Sequence, residues 1–502
     1  MQAASTSNAP LLEPTHSRSV LVADIRTLLT LAMPIIGITL SRMLMGFADF
    51  YQVSFLGTEA TAAISPATLF VFMALCLGMG VVTSVQTFAS QALGRGEPRE
   101  ASGYAWQTMY IAVFTIPIAF AMTLISDAVW AGIDAPAAVR AMEADYCRVA
   151  FWSVPFGVAC AGLEGFFNGV QKPGVALKAI IAALITNVVG NYLLIFGKCG
   201  FPELGITGAA IATIFGWVVR LVVLGWVFFS AEFRDRFGTR ANRGLDGNRL
   251  LSTLKIGGPT AIQWVLDVGA WFLFLAVIMQ GFGTATLAAS NVGIQFMHVA
   301  FMPAIGVGVA LCTLVGHAIG EGKPDVAMRK TKAALIVTGS YMGFIGLFFL
   351  LIPRLLMSLV SDDQAVIDAG VGILIWAALF QVSDALCIVY INALRGAGDT
   401  KWPAVVLVLL CWTVFMGGGY GMVRFVPQMG LHGPWMICTL YITILGVVLW
   451  RRFAHGAWRQ IRLFEAKPEA SGAVAASIEG SNSEGGLAAI DDPFAGNIGV
   501  HS

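Results

Sequence analysis

Ser90 to Pro98 reads SQALGRGEP, and Gly316 to Pro324 reads GHAIGEGKP. Gln91 aligns with His317, Gly94 with Gly320, Gly96 with Gly322 and Pro98 with Pro324, a constant offset of 226 residues (317 − 91). Each copy closes one long apolar run and precedes another. The match continues outward: Gly57 and Thr58 recur as Gly283 and Thr284, Ala62 and Ala63 as Ala288 and Ala289, and Pro34 falls opposite Pro259 after a slip of one residue. A period close to half of the 502 residues means two copies of one large unit and rules out a solenoid of short repeats.

Only 12% of the residues are charged, against roughly 25% in an average soluble domain. Apolar stretches of about 20 residues, enough to cross about 30 Å of hydrocarbon as helix, occur twelve times. They lie near 27–56, 61–89, 102–125, 148–168, 174–197 and 205–230 in the first copy, and near 254–281, 286–316, 332–353, 366–394, 402–423 and 432–451 in the second. The chain therefore reads as an all-α integral membrane protein. Residues 1–25 form a polar N-terminus expected to be disordered, without the pattern of a cleaved signal peptide. Residues 26–230 make the first lobe, 231–253 a basic linker, 254–455 the second lobe, and 456–502 a tail expected to be mostly disordered.

Loop charge orients the chain. Of 30 Lys and Arg, five (Arg140, Arg148, Lys198, Arg354, Arg424) fall in loops on one side, Arg42 and Arg220 fall within helices, and the remaining 23 fall on the other side. The basic side should be cytoplasmic, with both chain ends on it, in the cell membrane. A net charge of +1 gives no reason to expect a nucleic-acid partner. The eight Cys form no CxxC pair and suit buried small hydrophobes, although Cys147 and Cys199 could meet on the outer side.

Charged and amide side chains inside apolar runs are candidates for function, because each is costly in hydrocarbon unless it faces protein or water. The first run carries Arg42 and Asp49, seven residues apart and so on one helical face with about 10 Å of rise between them. Both should face a protein or water-lined interior; a structural pair between them is the alternative, and that rise makes a direct bond hard to form. The fifth run carries Asn187 and Asn191, stacked at i and i+4; such amides serve more often as interhelical glue than as ligands. Asp267 lies deep in the seventh run, Gln295 and His298 in the eighth, and Asp384 in the tenth. His298 alone suits packing better than proton relay. No nucleotide-binding loop, zinc motif or nucleophile elbow is present, so the chain is not expected to be an enzyme and needs no cofactor. Transport would be driven by an ion gradient or by substrate alone.

GFAD (Gly46–Asp49), the duplicated SQALGRGE and VGHAIGEG, TNVVGNYLLIFGKCGFPELGITGAAIAT (Thr186–Thr213), PTAIQWVLD (Pro259–Asp267), FQVSDAL (Phe380–Leu386) and ALRGAGDT (Ala393–Thr400) together resemble the multidrug and toxic compound extrusion (MATE) transporters, in particular the NorM-like branch. The resemblance covers roughly residues 27–455. It implies twelve transmembrane helices in two pseudo-symmetric six-helix lobes around a central cleft. It also implies a monomer in the bilayer that exports small organic, often cationic and amphipathic compounds in exchange for Na⁺ or H⁺.

Carried over to this chain, Asp49, Asn187 and Asn191 match a cation site of the first lobe that could take Na⁺, while Asp267 and Asp384 match the acidic positions of the second. Two departures stand out: Asp267 replaces a usual Glu, and Arg42 replaces an uncharged residue. A carboxylate with two amide oxygens suits an alkali cation, and a desolvated carboxylate equally suits a proton. Arg42 and Asp267 each lie eight residues after the paired prolines, which makes them equivalent points of the two lobes and a conceivable ion pair across a closing cleft. Arg42, Gln295 and His298 are expected to line the cleft, with Gln295 near Asp384. A lipid-linked sugar flippase of the same wider superfamily is the alternative, and a membrane-embedded enzyme built on Asp49, Asp267 and Asp384 a weaker one.

Overall fold

The computed structural model describes residues 14–464, and all regular elements among them are helical. The membrane spans are α1 (Pro14–Ser54), α2 (Thr58–Gly94), α3 (Pro98–Ala131), α4 (Ala137–Ala150 and Ser153–Gly169, bent by 49°), α5 (Pro173–Ile195), α6 (Gly205–Phe228), α7 (Gly247–Phe282), α8 (Thr284–Gly320), α9 (Pro324–Leu351), α10 (Gln364–Gly396), α11 (Lys401–Phe425) and α12 (His432–His455). Eleven are single helices long and apolar enough to span, and the bent pair makes the twelfth. The duplicated motif punctuates these spans. Gly96 and Gly322 take positive φ (75° and 72°) just after α2 and α8, where a side chain would be strained. Pro98 and Pro324 then start α3 and α9, where a missing N–H costs nothing.

Two boundaries differ from the sequence reading, both because the first turns of a helix are polar. α1 starts at Pro14, so residues 14–25 are helical rather than disordered. α7 starts at Gly247, inside the expected linker, where the Asp246 carboxylate caps it by accepting from the N–H groups of Asn248 and Arg249. The rest of the linker holds a short helix, Ala231–Phe237. Its Phe233 and Phe237 stack edge-on against Phe167 and Phe166, with centroids 5.3 and 5.6 Å apart, and fix the linker to the first lobe. At the far end, Trp458 stacks on Phe453 at 5.0 Å, so the start of the expected tail is packed. Residues 1–13 and 465–502 of the expected disordered ends lie outside the described residues. Seven of the eight cysteines are buried; Cys199 is exposed, and all are free.

The lobes meet around the duplicated motif. A Cβ added at Gly94 would collide with the carbonyl oxygen of His317, and one at Gly320 with that of Gln91. Since Gly94 is equivalent to Gly320 and Gln91 to His317, the pseudo-two-fold axis passes through this crossing. Polar bonds seal it: Gln91 Nε2 donates to Gly396 O (3.0 Å), Thr87 Oγ1 to Arg395 O (2.9 Å), and Gln86 Nε2 to Val309 O (2.7 Å) and Thr313 Oγ1 (2.9 Å). Further along α1, Thr39 Oγ1 reaches Met302 O at 3.3 Å. One turn beyond Arg42, a Cβ at Gly46 would meet nothing within 4 Å. The lobes are thus sutured from the motif end to mid-span, and at Gly46 α1 has open space beside it.

Two ion-pair clusters flank the suture. Asp24 of α1 accepts from Arg329 Nε (2.5 Å) and Lys330 Nζ (2.8 Å) of α9. Arg249 of α7, equivalent to Asp24 at an offset of 225 (249 − 24), donates through Nη2 to both Glu100 oxygens of α3 (3.0 and 3.1 Å). A Cβ at Gly103 would lie 2.5 Å from Arg249 Nη1, so the guanidinium occupies space that a side chain there would take.

Candidate functional site

In the first lobe α1, α5 and α6 bring Asp49, Asn187, Asn191 and Thr213 together. The i, i+4 spacing stacks the two asparagines on the face of α5 that packs inward, and both are fully buried. Asn191 Nδ2 donates to Asp49 Oδ1 (2.6 Å), Thr213 Oγ1 lies 3.5 Å from Asp49 Oδ2, and Asn187 Nδ2 donates to Thr213 Oγ1 (3.3 Å). The Oδ1 atoms of Asn187 and Asn191 are buried and accept no hydrogen bond. Buried acceptors are normally satisfied, so the carboxylate and the two free amide oxygens of the residues around it offer hard-oxygen ligands of the kind that suit a small cation. The structure assembles the three residues expected from the sequence and adds Thr213. That threonine lies in the quoted stretch, but nothing in its spacing marked it.

Arg42 is not paired with Asp49 or with Asp267. Its Nη2 donates to Glu164 Oε2 of α4 (2.9 Å), and the fully buried Arg220 of α6 donates to the same oxygen. Glu164 was missed by the sequence reading, although two arginines in apolar runs with one carboxylate in another is a charge count that could have found it. Breaking a buried pair by removing one partner costs about 3–5 kcal/mol. Arg220 side-chain exposure is 0% and that of Glu164 14%, so solvent screens this pair little. We therefore expect Glu164→Ala to lower the unfolding midpoint in detergent by several degrees, and Glu164→Asp to lower it less. Tryptophan fluorescence on heating reads this, and an unchanged midpoint in Glu164→Ala would show that the pair contributes nothing.

In the second lobe Asp267 of α7 and Asp384 of α10 are both partly accessible and close enough for their charges to interact. Neither has a hydrogen bond or ion pair to another described residue. Tyr441 and Cys411 adjoin Asp267. Nearby, α7 and α11 each contain a widened π-type stretch, Phe274–Met279 and Cys411–Gly418, whose Phe274 and Phe415 rings stack at 4.9 Å; such stretches often mark functional positions. Two close carboxylates repel unless a cation or proton sits with them. Of the residues expected to line the cleft, Gln295 is exposed and His298 packs on Phe301 at 5.1 Å; neither bonds to Asp384.

A helical membrane protein of two duplicated lobes, each with acidic side chains set among its helices, is the class that this geometry defines. The MatE family profile matches residues 34–193 and 259–416, one block in each lobe. The chain belongs to the MatE family. It is 27% identical over 456 residues (89% of this chain, 97% of the relative) to a Chromobacterium violaceum protein called probable multidrug resistance protein NorM. A Thermotoga maritima protein of the same name is 28% identical over 456 residues (88% and 94%). Among solved structures, a variant of a Vibrio cholerae MATE transporter superposes with a TM-score of 0.80 at 18% identity, covering 89% of this chain and 99% of that one. A Pyrococcus furiosus transporter, described as having a binding pocket of reversed polarity, superposes at 0.78 and 18%, covering 87% and 97%.

Proposed function

We propose that this protein is a secondary active exporter of small organic compounds, predominantly cationic, working as a monomer in the cell membrane and driven by a Na⁺ or H⁺ gradient. The observation that carries the reading is the Asp49 carboxylate held by an amide pair whose two oxygens are buried and accept no bond, on the helix that has open space beside Gly46. The coupling ion is a transported partner, and Asp49, Asn187 and Asn191 are the residues that would hold it. The names of the relatives, multidrug resistance proteins, support export of drugs rather than flipping of lipid-linked sugars.

With 23 of 30 basic residues on the motif side, that side is read as cytoplasmic, with both chain ends on it. The suture around Gly94 and Gly320 then closes the inner end, and transport requires it to part while the opposite end closes. Purified protein in liposomes, loaded with a fluorescent cation and given an imposed Na⁺ or H⁺ gradient, tests the reading; absence of gradient-dependent export would overturn it. In the same assay Asp384→Ala should slow export of cations several-fold more than that of neutral compounds, because its carboxylate and that of Asp267 form the acidic pair of the second lobe. Equal loss for both classes would assign Asp384 a structural role.

A further inference from the structure

The Arg42, Glu164, Arg220 cluster carries more positive charge than it neutralises. Two guanidiniums share one oxygen of one carboxylate, which leaves one net positive charge in the membrane interior. Its hydrogen-bonding capacity is also unspent: Arg42 Nε, Arg220 Nε and Arg220 Nη1 are buried and have no acceptor. Arg220 is wholly enclosed, with its guanidinium 5.3 Å from the centroid of the Trp217 ring. Arg42 is different, because 37% of its side chain is accessible.

The surface it reaches is the space between the lobes. Thr39, one turn before Arg42 on the same face of α1, touches Met302 of the second lobe. Gly46, one turn after it, faces open space. Arg42 therefore stands between a contact of the two lobes at Thr39 and open space at Gly46. A guanidinium turned to lipid at this depth would be strongly disfavoured, whereas one turned to a water-filled cleft is available to a ligand. Arg42 Nη2 is held by Glu164, so its planar fork is fixed in direction and can present the remaining edge to an anion.

We propose that Arg42, supported by Arg220 through Glu164, is an anion subsite of the cleft that binds the carboxylate of amphoteric organic compounds. The same chemistry would accept a free halide, but a carboxylate gains a second N–H bond from the fork and carries the rest of the molecule into the cleft, where the acidic residues receive its cationic end. What is new is the receiving group that this chain offers to the anionic end of such a compound, Arg42. This rests on the exporter reading, but it is tested by binding alone, so that failure of transport and failure of the subsite are separate results.

Rhodamine 110 and its methyl ester, rhodamine 123, differ only in a free carboxylate. Their binding to detergent-purified protein is measured by fluorescence polarisation, first in chloride-free gluconate buffer. The wild-type protein should bind the acid at least as well as the ester, and the ratio of acid to ester affinity should fall about tenfold in Arg42→Gln and by less in Arg42→Lys. Chloride that competes with the acid and not with the ester, in the wild-type protein and not in Arg42→Gln, would support the anion site and add a halide as its second occupant. A wild-type protein that binds the ester but not the acid would overturn the proposal without need of a variant. So would a folded Arg42→Gln protein with an unchanged ratio.

Discussion

Replacing Asp49 by asparagine is expected to reduce gradient-driven export to background while the protein still folds. The substitution preserves size and can keep a bond with Asn191 Nδ2, now 2.6 Å from the carboxylate. What it removes is the charge, and a neutral amide beside Asn187 Oδ1 and Asn191 Oδ1 neither holds a cation nor exchanges a proton. Binding of a cation changes the balance between two helix packings only if the site distinguishes them, and without the charge it has nothing to distinguish. Liposomes carrying the variant, compared with wild type under equal Na⁺ and H⁺ gradients, give the answer. Full coupled transport by a protein with a normal melting profile would sink the assignment.

The second large effect is expected at the crossing of the lobes. Gly94→Val places a branched side chain against the backbone of His317, where even a Cβ has no room. Within a lobe such overpacking costs typically 1–3 kcal/mol. Between two lobes built to part, the protein can instead escape by opening, and about 2.8 kcal/mol corresponds to a hundredfold shift in the ratio of closed to open forms. Cys312 reports this: it is 2% exposed and lies 3.9 Å from Thr87 Oγ1 across the suture. In a background with the exposed Cys199 replaced by serine, maleimide should label Cys312 slowly in the wild type and much faster in Gly94→Val. A folded variant whose Cys312 stays unreactive would show that the crossing does not gate this end.

Much of this architecture was legible before any coordinates, and the reasons differ by feature. The spans and their pairing follow from hydropathy and duplication, because a helix in lipid must be apolar along its length and a repeated unit must repeat its turns. The N-lobe site was legible through resemblance and the spacing of Asn187 and Asn191. Their contact with Asp49 was not, since spacing fixes a face and not the neighbour it meets.

Arg42 shows the limit of symmetry arguments. Its equivalence to Asp267 locates it along the helix, but the partner is set by which side chain lies opposite after packing, and Glu164 of α4 lies there. Gln295, expected beside Asp384, is exposed on α8, and no hydrogen bond joins the two. The polar first turns of α1 and α7 escaped the hydropathy reading because their stability comes from partners, Arg329, Lys330 and Glu100, that no local pattern reveals.

Those partners also decide which halves can assemble. The two halves arose from one unit, yet the charge at equivalent positions 24 and 249 is opposite, and so is the sign of what each one meets. If two first halves were joined, Asp24 would face Gly103 and Tyr104, the counterparts of Arg329 and Lys330, and find no cation. If two second halves were joined, Arg249 would face Val326, the counterpart of Glu100, and find no anion, while the room that Gly103 leaves for it would be taken by Arg329. A half molecule is thus committed to its unlike sibling. The duplication has lost the capacity for self-pairing from which a two-lobed chain of this kind must have begun.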